Sequence, residues 1–314
     1  MEKELKFISV VAYVRNSRGQ IEQFLKDVMG TCSRLFDRCE LVLVNDASDD
    51  GSVEEIHRYL KEHPADYMVS VIRMGEFQGL EASMNAGRDI AIGDYVYEFD
   101  DLYIDYDLKV IEEVYRKCLE GNDIVSAACD ARLRLTSRLF YRIYNHAGTG
   151  GYRLGQSTFR LLSRRAINRV KSMGAYIPYR KAVYMNCGLQ AAKIVYQSKD
   201  GKGSITRHYH RDERTGLAVD SFIYFTDVIE RISFFLSIIF LTIVIAVVIY
   251  VVASLFVDAR LESGWTSLMG FMSVGFFGVF TLLTIILKYL SVLVDLVFRK
   301  QHYLIEDVEK ISGN

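Results

Sequence analysis

Apolar runs rich in β-forming residues alternate with amphipathic runs along the first 130 residues of the chain. The amphipathic runs have helical spacing; in the first of them, Ile21, Phe24 and Leu25 fall on one face. Strands and helices that alternate in this way are typical of a parallel sheet with helices on both faces. The pattern therefore predicts an α/β domain with a mostly parallel sheet. The predicted strands are Phe7–Tyr13, Leu41–Val44, Met68–Arg73, Tyr95–Phe99 and Ile124–Ala128, and the predicted helices are Gln20–Met29, Ser52–Glu62, Leu80–Ile92 and Leu108–Glu120.

Two long uncharged apolar runs follow this domain, Ile232–Phe256 with 25 residues and Trp265–Leu287 with 23. At a rise of about 1.5 Å per residue, each run would cross a hydrocarbon core about 30 Å thick. We therefore predict two transmembrane helices; the alternative is two buried helices of a soluble protein. The predicted organisation is a domain over residues 1–219, a juxtamembrane helix over 220–231, spans over 232–256 and 265–287, and a cytoplasmic C-terminal helix and tail over 288–314.

Basic residues flank the predicted spans on their outer ends. Arg231 precedes the first span and Lys288, Arg299 and Lys300 follow the second, whereas the connector Val257–Gly264 carries one arginine against two acidic residues. Because cytoplasmic segments carry the excess of Lys and Arg, both termini and the domain are expected in the cytosol. The chain would then be a multi-pass integral membrane protein with the lipid bilayer as a partner.

Composition and motifs exclude several function classes. The net charge is −1 and there is no long basic run, so the sequence predicts no nucleic acid partner. The five cysteines form no C-x-x-C pair, which favours reduced structural thiols. The chain contains neither a G-x-x-x-x-G-K-[ST] phosphate loop nor a G-x-G-x-x-G turn after its first strand.

Polar and acidic side chains follow three of the predicted strands. They occur in the segments Val14–Ser17, Asn45–Ser52 and Asp100–Asp105. Ligands of parallel sheets bind beyond the carboxyl ends of the strands, so these segments are expected to line one rim. Carboxylates there could accept ribose or base donors, or hold a divalent cation against a diphosphate. For Asp46–Ser52 a turn and helix N-cap remains an alternative interpretation.

Several of these segments resemble family 2 GT-A glycosyltransferases, and within them the membrane-anchored polyprenyl-phosphate glycosyltransferases related to dolichol-phosphate mannose synthase. Ser9 to Asn16 is similar to the family's S-V-V-x-P-x-Y-N start, with Tyr13 and Arg15 in place of its Pro and Tyr. The other matching segments, in the same order as in the family, are Asn45–Gly51 (D-D-G-S-x-D-G), Gly79–Gly87, Ala91–Val96, Phe159–Arg164 (F-R-L-x-x-R), and, after the second span, Tyr289 and Tyr303–Ile305.

The resemblance implies a GT-A (Rossmann-like) fold and inverting transfer of a sugar from a UDP- or GDP-sugar. It implies nucleotide binding by Asn16, Asp46 and Asp50, and Mg²⁺ or Mn²⁺ as the cofactor. The sites it implies at the fourth strand end are catalytic Asp100 and Asp101, and metal ligands Asp100, Asp101 and Asp105. A location in the bacterial cytoplasmic membrane and a possible homo-oligomer also follow from it.

Two departures from the family pattern concern the chemistry. The D-x-D metal motif aligns with Asp100-Asp101-Leu102, so its second Asp falls on Leu102, and Thr158 stands where the family commonly has Asp before F-R-L. A hydroxyl acceptor needs a general base, whereas a phosphate monoester with a second pKa of about 6 is already ionised. An undecaprenyl or dolichyl phosphate acceptor would therefore tolerate Thr158.

Cations for such a phosphate are available in an amphipathic segment. Arg134, Arg138 and Arg142 recur at i, i+4 and i+8, which predicts an interfacial helix over about 132–146; a solvated basic face is the alternative. The predicted acceptor-phosphate residues are Arg138, Arg142 and Arg160.

Two other functions stay open. One is transfer to a hydroxyl of a lipid-linked or envelope glycan, with Glu76 or Glu81 as the base. The other is a non-catalytic membrane-anchored binding protein. For the leading interpretation, Asp100→Ala is expected to abolish transfer and leave the fold intact.

Overall fold

The computed structural model of the chain describes residues 3–130, 141–142, 155, 157–173, 179–199, 234–236, 238–243, 245–246, 249, 264–298 and 303–311. The chain divides into two compact units. One comprises Met1–Ala218 together with Lys300–Asn314, and the other comprises Val219–Arg299.

The first unit is built on one eight-stranded sheet with the strand order β7-β5-β6-β4-β1-β2-β3-β8. Strands β1, β2, β3, β4, β5 and β7 run parallel to one another, and β6 and β8 run antiparallel to their neighbours. The sheet is therefore mostly parallel, as predicted. The strands are β1 Glu4–Val14, β2 Phe36–Asn45, β3 Met68–Met74, β4 Tyr95–Phe99, β5 Ile124–Cys129, β6 Phe159–Ser163, β7 Ala191–Tyr196 and β8 Ile305–Ile311.

Helices connect most of the parallel strands, and three of the four predicted ones lie within two residues of their predicted ends. The exception is the first, which begins at Ile21, passes through a π-helical turn at Leu25–Met29 and ends only at Leu35. The helices are α1 Ile21–Phe24, α2 Gly30–Leu35, α3 Ser52–Glu62, α4 Leu80–Ile90, α5 Lys109–Leu119, α6 Arg164–Ser172 and α7 Arg180–Asn186, with α8 Gly264–Phe298 in the second unit.

The two faces of the sheet differ in character. On one face, alternate residues of the central strands, such as Val10, Leu43 and Phe99, form a buried apolar core with α1, α2, α3 and α5. On the other face α4 lies so close to β1 and β2 that a Cβ added at Gly87 would come within 2.5 Å of Val11 and 2.6 Å of Val44. That second face also carries the buried charged residues described below.

The end of the chain differs from its prediction. Residues 288–314 were expected to form a helix and tail; α8 does continue to Phe298, but Ile305–Ile311 is the antiparallel edge strand β8 beside β3. The apolar residues Ile305, Val308 and Ile311 recur at every third position, so the segment lacks the period of two that would predict a strand. Pairing with β8 satisfies the backbone groups of β3, which would otherwise be the open edge.

The two predicted membrane spans are not confirmed. Only part of residues 232–256 is described, and those residues are helical, while residues 265–287 lie inside α8. Within the described ranges, no helix combines the length and the apolar character needed to cross a membrane. The predicted helix over 132–146 lies outside the described residues except for a helical Tyr141 and Arg142.

Candidate active site

The loops after β1 and β2 are joined by a set of hydrogen bonds at the carboxyl edge of the sheet. Asn16 Oδ1 accepts from the backbone N–H of Asp49 at 3.1 Å, and the Asn16 N–H donates to Ser48 Oγ at 3.1 Å. Asp50 accepts from the backbone N–H of Arg18 at 2.9 Å and from Ser52. The sequence prediction that Asn16 and Asp50 meet at one rim is therefore confirmed, although their role in nucleotide binding stays a prediction.

These contacts also affect the charge of Asp50. Burial alone would raise the pKa of its carboxyl, but hydrogen bonds from Ser52 and from the N–H of Arg18 stabilise the ionised form and lower the pKa. The same bonds make Asp50 the N-terminal anchor of α3, which begins at Ser52. The turn interpretation of Asp46–Ser52 thus describes the observed geometry, whereas the N-cap residue of α3 is Gly51, which has no side chain to cap the helix. Ligand binding at the same loops is compatible with this geometry.

Asp46 is fully buried and ties three segments together. Its Oδ2 accepts from the Tyr13 hydroxyl at 2.8 Å and from the Gly79 N–H at 2.9 Å, and its Oδ1 accepts from the Gln78 N–H at 2.8 Å. Arg15 donates to the carbonyl oxygens of Asp46, at 2.9 Å, and of Ala47. Tyr13 and Arg15 are the two departures from the family's opening motif, and both hold Asp46 or its loop.

Near the end of β4, three carboxylates and two arginines form a buried ion cluster on the α4 and α7 side of the sheet. Arg160 donates to Glu98 at 2.9 Å and to Asp100 at 2.6 Å. Arg180 donates to Glu98 at 2.8 Å, to Asp100 at 2.8 Å and to Glu81 at 2.9 Å. Each of these five side chains is at most 8% exposed. Glu98 and Arg160 share this face because they are paired across β4 and β6.

The cluster holds its carboxylates ionised. Burial alone would raise the pKa of Glu98 and of Asp100, but the neighbouring arginines outweigh it and lower both pKa values, that of Asp100 to well below its usual range. Tyr184 donates to the second oxygen of Glu98 at 2.7 Å and accepts from Arg88 at 3.1 Å. Such a cluster is costly to bury, but removing one member leaves a charge unpaired and costs more.

Lys181 lies beside the cluster. Its ammonium is 3.6 Å from Asp100 Oδ2 and its side chain is 10% exposed. Burial lowers the pKa of Lys181 to about 8, although Asp100 acts in the opposite direction. Neither Arg180 nor Lys181 was singled out from the sequence. The signal available was Glu98, a charged residue within the apolar strand Tyr95–Phe99, which requires a buried cation somewhere in the chain.

The predicted metal ligands are not assembled as a site. Both oxygens of Asp100 are paired with arginines, Asp101 Oδ1 accepts from the Tyr103 N–H at 3.0 Å, and Asp105 Oδ1 accepts from the Tyr196 hydroxyl at 2.8 Å. Among the residues that the structure describes, no group of three His, Cys, Asp or Glu side chains could hold a metal ion. Asp100, whose two oxygens both accept from arginines, therefore does not fit as a free carboxylate ligand of Mg²⁺ or Mn²⁺; Mg²⁺ is usually held by one or two carboxylates together with waters and substrate phosphates.

Thr158 is engaged by its neighbours. Its hydroxyl lies 2.5 Å from the Tyr196 hydroxyl, which itself donates to Asp105 at 2.8 Å, so Thr158 is the donor to Tyr196. All three residues are buried. The position where the family commonly has Asp is thus occupied by a neutral hydroxyl that points into a hydrogen-bonded chain.

The other predicted site residues are dispersed. Arg160 belongs to the ion cluster, so its donors serve Glu98, Asp100 and Ser157. Arg142 is exposed, and Arg138 lies outside the described residues. Of the two candidate bases for a hydroxyl acceptor, Glu81 is paired with Arg180 and Glu76 is exposed on the loop after β3.

Comparison with protein families matches residues 9–187 to the family described as glycosyl transferase family 2. The chain belongs to glycosyl transferase family 2. The matched range contains the β1 and β2 loops and both arginines of the ion cluster. The match also includes Asp100, Thr158 and Lys181, whereas Tyr196 lies beyond its end.

Curated relatives of this family 2 chain include transferases that are named for bactoprenol or for undecaprenyl phosphate. The bactoprenol glucosyl transferase of Shigella phage SfV is 28% identical over 206 residues, which cover 64% of this chain and 66% of that protein. The undecaprenyl-phosphate 4-deoxy-4-formamido-L-arabinose transferase of Pseudomonas savastanoi pv. phaseolicola is 35% identical over 96 residues, covering 31% and 28%. The chain spans only 60% to 66% of the length of the first curated relatives it matches.

A solved structure shares the fold. The mannosyltransferase PcManGT from Pyrobaculum calidifontis, solved with GDP-Man and Mn²⁺, matches with a TM-score of 0.51 and 18% identity, over 70% of this chain and 64% of that chain. This likeness confirms the predicted GT-A α/β fold. The Mn²⁺ belongs to that structure.

Proposed function

We propose that this chain transfers a sugar from a UDP- or GDP-sugar to a membrane polyprenyl phosphate, with inversion at the anomeric carbon. Family 2 membership and the names of two relatives support a glycosyl transfer onto bactoprenol or undecaprenyl phosphate. The donor is proposed to bind at the carboxyl edge, where the loops containing Asn16, Asp46 and Asp50 are held together. That edge is where ligands of such sheets bind.

The choice of a phosphate acceptor rests on the hydrogen bonding of Thr158. The hydroxyl of Thr158, which replaces a carboxylate, is bound to Tyr196, and the carboxylate of Glu81 is bound to Arg180. The other candidate base, Glu76, is exposed on the loop after β3 and is not part of the buried cluster. A hydroxyl acceptor must lose a proton as it attacks, whereas a phosphate monoester is largely ionised at neutral pH. A phosphate acceptor needs no base, and this supports polyprenyl phosphate over a glycan hydroxyl.

We further propose that the enzyme acts at the cytoplasmic leaflet as an integral membrane protein with both termini in the cytosol. The two uncharged runs and their basic flanks support this placement. The described part of α8 also leaves large apolar side chains uncovered; Phe277 is 72% exposed and Phe280 63%. Exposed apolar surface of this kind marks contact with lipid or with another chain.

A transfer assay tests the proposal. Purified protein would be incubated with UDP- and GDP-sugars and with undecaprenyl phosphate, and the lipid product would be identified by mass spectrometry and its anomeric configuration by NMR. We expect transfer to undecaprenyl phosphate and none to undecaprenol. Transfer to a hydroxyl acceptor alone would show that the acceptor is wrong, and no transfer from any donor would favour a binding protein.

A further inference from the structure

We infer that Lys181 is a phosphate-binding residue of the site and that it lets phosphate bind there without a divalent cation. The inference rests on the proposed function for the identity of the phosphate, which is either the diphosphate of the donor or the monoester of the lipid acceptor. Both present anionic oxygens with several lone pairs, and an ammonium donates to such oxygens as a compact point charge.

The position of Lys181 supports this role. Its ammonium lies 3.6 Å from Asp100 Oδ2, and Asp100 directly follows β4 at the carboxyl edge of the sheet. The same edge carries the loops after β1 and β2, and β1 is the neighbour of β4. Lys181 is therefore on the side of the sheet where a ligand of this fold binds.

The ammonium of Lys181 lacks hydrogen-bond partners within the described part of the chain. The separation of 3.6 Å from Asp100 exceeds the range of an N–H···O hydrogen bond. The Asp100 oxygens already accept from Arg160 at 2.6 Å and from Arg180 at 2.8 Å. A side chain that is nine-tenths buried thus holds three N–H donors without an acceptor at bonding distance among the residues that the structure describes.

Charge balance does not satisfy the hydrogen-bonding groups of Lys181. Arg88 lies 3.9 Å from Asp89, which leaves Arg160 and Arg180 to pair with the three carboxylates Glu81, Glu98 and Asp100. The ammonium of Lys181 balances the remaining negative charge, but it makes no hydrogen bond to a described residue. Burying an ammonium without hydrogen-bond acceptors is unfavourable. An incoming anionic oxygen would supply the missing acceptor.

The same contacts explain why a cation is not needed at this point. A divalent ion at Asp100 would compete with Arg160 and Arg180 for its two oxygens, and each arginine is bound to Glu98 as well. With Lys181 in place, the positive charge that faces a phosphate is already part of the protein. The pairing of Asp100 with two arginines, together with the nearby Lys181, therefore favours phosphate binding without the metal ion that the family resemblance implies.

The experiment measures phosphate binding to the full-length protein and to Lys181→Met, Lys181→Gln and Lys181→Arg. Calorimetry with UDP and with GDP, in EDTA and in Mn²⁺, reports on the donor diphosphate. Vesicles of phosphatidylcholine with undecaprenyl phosphate, or with undecaprenol, report on the lipid phosphate. Lys117→Met serves as the matched control, because Lys117 is an exposed lysine at the end of α5 that pairs with Glu120.

We expect wild type to bind UDP or GDP, or the phosphate vesicles, equally in EDTA and in Mn²⁺. Lys181→Met and Lys181→Gln should weaken that binding at least about tenfold, the value of one hydrogen bond to a charged group. Lys181→Arg should restore part of it, and Lys117→Met should bind as wild type does. The melting temperatures of all variants are measured alongside. If Lys181→Met does not fold, the binding measured with Lys181→Gln and Lys181→Arg tests the inference.

Unchanged binding of every probe by the neutral variants would overturn the inference, as would wild-type binding that is lost in EDTA. The probe whose binding is weakened in the neutral variants identifies which phosphate Lys181 contacts. Sugar transfer is measured in parallel. If wild type transfers no sugar to any acceptor, the proposed function fails whatever the variants bind. If Lys181→Met transfers at the wild-type rate, only the inference fails.

Discussion

The Nη2 atom of Arg180 donates to Oδ1 of Asp100 at 2.8 Å, and both side chains are at most 2% exposed. This contact changes the expected consequence of replacing Asp100. The sequence predicted that Asp100→Ala would abolish transfer and leave the fold intact. Because Asp100 balances two buried guanidinium groups, its removal leaves positive charge unpaired inside the domain.

We therefore expect Asp100→Ala to lower the free energy of unfolding by about 3–5 kcal/mol, the usual cost of breaking a buried ion pair. Urea denaturation followed by circular dichroism measures it. Glu120→Gln is the control, because Glu120 pairs with Lys117 at the surface and should cost less than about 1 kcal/mol. Wild-type stability in Asp100→Ala would show that Asp100 is not a structural counter-ion.

Much of the fold could be predicted because its signals are local. The strand Tyr95–Phe99 and the helix Ser52–Glu62 have the bounds that their hydrophobic periodicity predicted. The strand β8 was missed because its pairing with β3 joins residues more than 230 positions apart in the chain. No local pattern around Ile305–Ile311 distinguishes an edge strand from a charged tail.

The site was predicted less completely, and the reason is physical. The meeting of Asn16 and Asp50 follows from the rule that parallel strands end at one edge. The pairing of Glu98 and Asp100 with Arg180 depends on how α7 packs against the sheet, which sequence spacing does not determine. Consequently Asp100 was interpreted as a free ligand, and Lys181 was not considered at all.

Two helical glycines give opposite predictions for the same substitution. A Cβ at Gly87 would come within 2.5 Å of Val11, whereas a Cβ at Gly30 meets nothing within 4 Å. We expect Gly87→Ala to destabilise the protein by about 1–3 kcal/mol through overpacking. Gly30→Ala should stabilise it by about 0.5–1 kcal/mol, because alanine favours the helix. Thermal and urea unfolding measure the change in the free energy of unfolding for both variants. If Gly87→Ala stabilised the protein as Gly30→Ala does, the close packing of α4 on the sheet would be contradicted.

Ala47 has a positive φ of 51° in the loop after β2. A left-handed conformation costs a residue with a Cβ about 1 kcal/mol, and glycine avoids this cost. Ala47→Gly should therefore raise the free energy of unfolding by up to about 1 kcal/mol. Ala82→Gly in α4 is the control and should lower it by about 0.5–1 kcal/mol. A loss of stability in Ala47→Gly would be evidence against the left-handed backbone at this position.

Gln78 links the end of the chain to the loop that binds Asp46. Its side chain donates to the Leu304 carbonyl at 2.7 Å and accepts from the Leu304 N–H at 2.7 Å, while its own N–H donates to Asp46. Gln78→Ala removes the two bonds to Leu304 and should cost about 1–3 kcal/mol. Hydrogen exchange should also become faster in both partner segments, 75–79 and 303–311. If exchange changes in neither segment, the contact does not hold the two together.

Acid should weaken a contact at the opposite edge of the sheet. Asp123 accepts from Arg165 Nε at 2.9 Å and from Ser163 Oγ at 2.7 Å. The hydrogen bonds of Arg165 lower the pKa of the Asp123 carboxyl, although burial acts against them. Because the folded pKa is below the unfolded value of about 3.9, the contact contributes fully above that pH. Its contribution is lost as the pH falls through the folded pKa.

Asp123→Asn should therefore be less stable than wild type at neutral pH, and the difference should disappear as the pH falls below about 4. Urea midpoints measured between about pH 3 and pH 7 give this difference directly. Asp37→Asn is the control, since Asp37 is exposed and lies 3.8 Å from an exposed Arg38, so its substitution should have little effect throughout. A stability difference for Asp123→Asn that persists unchanged at the acid end would mean that lost packing, and not the charge of Asp123, is responsible.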